Sequence, residues 1–166
     1  MQNDFDGTSA ERSDPSDIPG VLAPPPLIYL IPLVMTLGIG FWKPFPLLPG
    51  NLPHLFGPAL LIAALLLLLP SNNAFRKKRT NARPWKPSTA LVIEGPYRFS
   101  RNPMYLGFTL MYLGIALWVN TAWPLPALLV VMQVMRHYVI EREERYLQRK
   151  FGEPYRQYMA SVRRWF

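Results

Sequence analysis

Two groups of residues in this chain combine side chains that can do chemistry together. The first lies in GPYRFSRNPMYLG, residues 95–107, which gathers Tyr97, Arg101, Asn102 and Tyr105. The second is the acidic set Glu141, Glu143 and Glu144, about forty residues further on. Paired carboxylates hold hydroxyl or ammonium groups or accept a proton, an arginine holds an anion, and a phenol ring offers an electron-rich face to a cation. Asn102 can donate and accept hydrogen bonds but cannot titrate, so proton transfer at that position is excluded. Each group also has a plainer reading. Tyrosine and arginine at an apolar boundary serve many membrane proteins as an interfacial anchor. Glu141 and Arg145 stand four apart, as an ion pair on a solvated helical face would.

The elements that must position these residues follow from hydrophobic runs and turn signals. Gly95 and Pro96 mark a turn, and a residue before proline is pushed out of the α region. Pro103 suits the first turn of a helix, where its missing N–H costs nothing. Met104, Tyr105, Leu106 and Phe108 then begin an apolar run at once. Four such runs are present, at residues 27–42, 57–70, 103–119 and 124–140. The first two fall short of the roughly 20 residues that cross a bilayer, so flanking residues such as Leu55 and Phe56 must extend them. A re-entrant hairpin is the alternative. Gly107 and Gly114 lie seven apart on one face of the third run, where a neighbouring backbone can approach closely. The fourth run continues through residues 141–150 and stops at Gly152, a natural helix cap. Tyr155, Tyr158, Met159 and Val162 then recur at helical spacing and predict a second amphipathic helix.

Charge sets the frame. The chain has 166 residues, enough for one domain, and a formal charge of +8. Sixteen of its 18 Lys and Arg fall within residues 76–101 and 136–164, beside the apolar runs. That is the positive-inside pattern of a multi-span membrane protein rather than a stripe for nucleic acid, and no nucleic-acid partner is expected. Arg76, Lys77, Lys78, Arg79, Arg83 and Lys86 form a basic face for anionic lipid head groups, worth about 1 kcal/mol per charge near the surface. Four spans put both basic segments and both termini on the cytoplasmic side. Residues 1–26 read as a flexible, acidic tail with a stiff proline lead-in at Pro24, Pro25 and Pro26, dispensable to the rest and unlike a signal peptide. The chain has no cysteine, which rules out disulfides, thiolate zinc sites and a cysteine nucleophile. The expected fold is therefore an all-α membrane protein, with about four transmembrane helices and C-terminal amphipathic helices in a single domain over residues 27–166.

GPYRFSRNPMYLG, followed by Glu143, Glu144 and FGEPYRQY at residues 151–158, resembles the isoprenylcysteine carboxyl methyltransferase and phospholipid methyltransferase superfamily. The likeness covers residues 85–165, with both blocks in the family's order and spacing. It implies an integral-membrane enzyme that takes S-adenosyl-L-methionine and methylates a lipophilic acceptor, a membrane lipid or lipidated substrate. Such a cofactor needs apolar walls, a carboxylate and electron-rich groups near its sulfonium. Carried over by position, the resemblance assigns cofactor contacts to Thr89, Ala90, Leu91 and Val92, chiefly through backbone groups. It adds Tyr97, Asn102, Pro103, Met104, Tyr105 and Glu143. Asn102 stands where the family has histidine. Arg101, Tyr105 and Glu144 are the catalytic candidates, with Glu144 the base for an amine acceptor. Arg136 and Arg142 are the candidates for substrate binding. The family's substrate-binding arginine, four residues before the glutamate, is Val139 here, which weakens a prenylcysteine carboxylate as acceptor. A phospholipid amine and a small thiol or phenol are the other acceptors. His137 reads as an interfacial hydrogen-bonding residue. A non-catalytic membrane or lipid-binding module, which would need no cofactor contacts, is the rival from another class. A reductase of related fold would need more spans.

Overall fold

The structure, a computed structural model, describes residues 17–21 and 23–165. The acidic-tail expectation for residues 1–16 and Leu22 thus lies outside the described residues. Among the described residues the chain is helical without a strand. Helix α1 spans Pro25–Trp42, α2 Leu52–Lys77 and α3 Pro103–Trp118. A helix from Pro124 onward comprises α4, Pro124–Val134, a π-helical turn at Met135–Ile140, and α5, Glu141–Phe151. Backbone angles stay in the α region at both junctions, so these three pieces form one rod. Gly152, at φ 60° and ψ −126°, ends it and lets α6, Glu153–Ser161, turn away.

Helix α2 is longer than its apolar run, at 26 residues. It passes through Pro58 and Pro70. Beyond Pro70, the Ser71 hydroxyl donates to the Leu67 carbonyl at 2.6 Å. Helices α1 and α2 are each long and apolar enough to cross a membrane, and α3 is a shorter apolar helix. Both long helices expose apolar side chains, including Ile31, Val34, Met35, Leu66 and Leu69. A continuous surface of that kind is stable where lipid covers it.

The helices are held together by small residues and a few hydrogen-bonded tyrosines. Helix α2 lies closest to α3. A Cβ on Gly107 would stand 2.6 Å from the Leu68 side chain, and one on Gly114 would stand 3.1 Å from the Gly57 carbonyl. Gly57 is the least able to yield, because a Cβ there would meet the backbone of Trp118 at 2.7 Å. Tyr29 on α1 is bonded to Thr109 at 3.0 Å and reaches the Tyr105 carbonyl at 3.3 Å, tying α1 to α3. Its ring joins a core with Tyr112, Leu128, Val131, Met135 and Ile140. At the opposite end Asn120 accepts from the backbone N–H groups of Leu47 and Leu48 and donates to the Leu48 carbonyl, clasping two loops. Trp123 donates to the Lys43 carbonyl at 2.8 Å.

Because backbone cannot withdraw as a flexible side chain can, Gly57→Ala is expected to cost about 1–3 kcal/mol. Gly38→Ala, with nothing within 4 Å of the added carbon, serves as the control. Thermal unfolding of the two variants in detergent measures the difference.

Candidate functional site

The chemistry-bearing loop is built from a short turn and a strand-like seam. Gly95 adopts φ +62°, which favours glycine, and opens a single 3-10 turn at Gly95–Arg98. That turn buries Tyr97, whose ring packs edge-on against Phe75 of α2, with centroids 5.5 Å apart. The Tyr158 hydroxyl of α6 donates to the Tyr97 carbonyl at 2.7 Å. The chain after α6 then lies along the loop. The Arg101 N–H donates to the Arg163 carbonyl, and Ser100 and Asn102 side chains both donate to that of Arg164. One polar end of Asn102 is therefore spent on holding the C-terminal segment in place.

Glu143 and Glu144 face this loop from α5 and sit in unlike surroundings. Both Glu144 oxygens are taken. Arg164 donates Nε to Oε1 at 3.1 Å and Nη2 to Oε2 at 2.6 Å, and Arg101 Nη2 stands 3.3 Å from Oε1. Among the described residues Glu143 has a single partner, the Tyr105 hydroxyl, which donates to Oε1 at 2.6 Å. Burial pushes the Glu143 carboxyl up to about 7, the Tyr105 hydrogen bond offsets part of that, and the Glu144 charge adds to it. Burial and then the Glu143 charge hold the Tyr97 phenol well above its usual range.

These groups line one cavity of about 790 Å³ counted out to its open mouth. Its apolar wall includes Phe75, Ala90, Leu91, Val92 and Met104, and its polar side includes Tyr97, Arg101, Asn102, Tyr105, Glu143 and Glu144. Arg101 is the sharpest feature. Its Nε and Nη1 atoms are buried without a hydrogen-bond partner among the described residues. An unmatched buried guanidinium donor is costly, and an anionic ligand group would relieve it. Carboxylate, apolar wall, aromatic rings and a donor for a carboxylate together fit a zwitterionic, nucleoside-bearing sulfonium.

The structure also redistributes several sequence expectations. Thr89 and Pro103 do not line the cavity. The N–H groups of Thr89 and Ala90 are engaged by the Thr80 hydroxyl, at 2.8 and 3.3 Å, which removes them as cofactor donors. Arg136 and Arg142 are not brought to the cavity either. Arg136 is exposed and lies 3.6 Å from Glu141, while Arg142 donates to the Gly20 carbonyl at 2.7 Å. The π-helical turn, which holds Arg136 and precedes Arg142, widens the helix and alters which side chains share a face. Both Glu144 oxygens are bound by guanidinium groups, whereas Glu143 accepts only from Tyr105 among the described residues. His137 meets Glu141 at 3.3 Å on the surface.

Three participants carried no signal of their own. Arg164 clamps Glu144 from the last residues of the described chain. Tyr146 donates to Asp17 at 3.2 Å and accepts from the Ser88 N–H at 3.0 Å. Lys150 also pairs with Asp17, so residues 17–21 are pinned to α5 and bring Pro19 to the cavity wall. That part of the tail therefore packs on α5 beside the cavity.

A carboxyl whose folded value lies above its unfolded one loses stability as pH rises between the two. Wild-type protein is therefore destabilised by Glu143 from about pH 4.5 upward, and the full penalty is in place above about 7. Glu143→Gln still accepts from Tyr105 and is expected to be more stable by about 2–3 kcal/mol at pH 8. The gain should vanish near pH 4, as thermal unfolding at both pH values will show.

Comparison with known proteins places this geometry. An uncharacterized protein of Haemophilus influenzae is 39% identical over 62 residues, which span 37% of this chain and 98% of that protein. No solved structure matches the chain. A match to the phospholipid methyltransferase family covers residues 52–154, taking in α2, the chemistry-bearing loop, α3 and the glutamate pair. With well over half of its length matched, the chain belongs to the phospholipid methyltransferase family.

Proposed function

We propose that this protein is a four-span membrane methyltransferase that uses S-adenosyl-L-methionine to methylate the amine of a lipophilic acceptor on the cytoplasmic side. The family match supports the reaction class. The four spans are α1, α2, α3 and the rod from α4 through the π-helical turn, and clustered Lys and Arg argue for cytoplasmic termini.

One observation carries the choice of acceptor. Glu143 faces the cavity with Oε1 held by Tyr105, and its carboxyl is pushed up to about 7. A carboxylate acceptor needs only a cation to hold it, whereas an amine must lose a proton before or during methylation. Oε2 of Glu143 is placed to take that proton, at a basicity matched to neutral pH. When bound, the cofactor supplies an electrophilic methyl group on a sulfonium. The unpartnered donors of Arg101 would hold its carboxylate, the apolar wall would take its adenine, and the Tyr97 and Tyr105 rings would favour its cation by about 1–2 kcal/mol in a dry site. Enclosure of the reactants supplies alignment and excludes water.

Calorimetric titration with S-adenosylhomocysteine tests the cofactor. Wild type should bind, and Arg101→Met should bind about tenfold or more weakly, as expected for one lost charged contact. Absence of binding by folded wild type would sink the methyltransferase mechanism and leave the non-catalytic module. Methyl incorporation into phosphatidylethanolamine vesicles tests the acceptor. Its rate should rise with pH through about 7 and fall about 10²–10⁴-fold in Glu143→Gln. An unchanged rate in that variant would remove Glu143 as the base.

A further inference from the structure

A second concave surface runs along the outer face of the α4–α5 rod, apart from the methyl-transfer cavity. Its lower part is an apolar groove lined by Val21, Ala23, Ile28, Val134, Tyr138 and Val139, about 540 Å³ to its mouth. Its upper part is a cleft of about 1000 Å³, lined by Pro19, Arg142, Arg145, Gln148, Arg149 and Arg156. Val134 and Tyr138 line the groove and Arg142, Arg145 and Arg149 the cleft, so the surface changes from aliphatic to aromatic to cationic along the rod. The change falls at Tyr138, over whose ring the Arg142 guanidinium sits at 5.9 Å. Pro19 lines the cleft, Val21 and Ala23 line the groove, and the Gly20 carbonyl accepts from Arg142.

The charge in the cleft is poorly matched by protein. Of its four arginines only Arg156 meets a carboxylate among the described residues, Glu153 at 2.9 Å. Arg145 and Arg149 are exposed and pair with no described carboxylate. Four guanidinium groups around one hollow suit a phosphate, whose oxygens accept their paired N–H donors. An apolar groove directly below such a hollow suits an acyl chain, and the change from one to the other comes where α4 leaves the apolar layer.

We infer that this face binds an anionic phospholipid of the cytoplasmic leaflet, with its phosphate among Arg142, Arg145, Arg149 and Arg156 and an acyl chain over Val134 and Tyr138. The inference rests on the membrane placement of α4 proposed above and is independent of methyl transfer. Pro19 lines both this cleft and the catalytic cavity, so bound lipid would brace the segment that walls the cofactor site.

The test uses detergent-purified full chain, wild type beside the double variant Arg145→Gln/Arg149→Gln, read by thermal unfolding. Dioleoyl phosphatidylglycerol should raise the wild-type midpoint saturably. Dioleoyl phosphatidylcholine, inorganic phosphate and glycerol phosphate at equal concentration should not. In the double variant the apparent affinity for phosphatidylglycerol should fall about tenfold or more. S-adenosylhomocysteine binding should stay at the wild-type level, showing that the variant is folded. Equal effects of the two lipids would overturn the inference, as would an undiminished response in the variant. A response to glycerol phosphate matching that to phosphatidylglycerol would make the cleft a site for soluble phosphate and overturn the lipid occupant. The lipid response remains readable if S-adenosylhomocysteine fails to bind wild type, so the two proposals fail separately.

Discussion

The site depends on one buried ionic cluster, in which the Glu144 carboxylate is held between Arg164 and Arg101. Its members come from three places: α5, the C-terminal segment and the loop before α3. Glu144 is 8% exposed, and the Arg101 side chain is 11% exposed. Charges removed from water to that degree are stable only when their partners stay in place, and losing one partner strands the others at several kcal/mol. The cluster therefore fixes the loop, the seam formed by residues 163–164 and the first turn of α5 as one unit. It also uses up one glutamate, which leaves its neighbour as the chemically available one.

The contrast between the two adjacent glutamates shows how local environment assigns roles. Both begin α5, both are acidic, and only their partners differ. Two cations and a full set of donors make Glu144 structural. Burial, offset only in part by one phenol and aided by a like charge next door, leaves Glu143 with a basicity near neutrality. The π-helical turn just before them belongs to the same design. Met135, Val139 and Ile140 within it are fully buried, so the wider turn is locked by packing and sets the direction in which α5 carries the pair.

The catalytic layer and the membrane layer meet in α3. Its first turn holds Tyr105, bonded to Glu143 at the cavity and, through its carbonyl, to Tyr29 of α1. Further along, Gly107 and Gly114 let α2 come close, and Tyr112 closes the core by donating to the Pro124 carbonyl. Without a hydrophobic drive between helices in lipid, close contact and buried hydrogen bonds supply the cohesion. The rigidity that positions Tyr105 is thus made within the apolar layer.

Much of this protein is determined by its sequence alone. Apolar runs fix the helices because backbone in lipid must satisfy its own hydrogen bonds, and the expected starts at Pro103 and Pro124 and the stop at Gly152 all appear. Glycine spacing on α3 announces a close neighbour, and the loop and glutamate blocks carry the family. Tertiary structure alone decides the rest. Which glutamate is clamped depends on Arg164, twenty residues away along the chain and without any motif of its own. That Arg136 and Arg142 miss the cavity follows from the helix and its π-helical turn, whose changed periodicity the residue pattern does not display. That Pro19 walls the cavity depends on Asp17 meeting Tyr146 and Lys150, more than a hundred positions distant. Local sequence encodes hydrogen-bond periodicity and turn chemistry, whereas the partner of a buried charge is chosen by the fold that brings distant segments together.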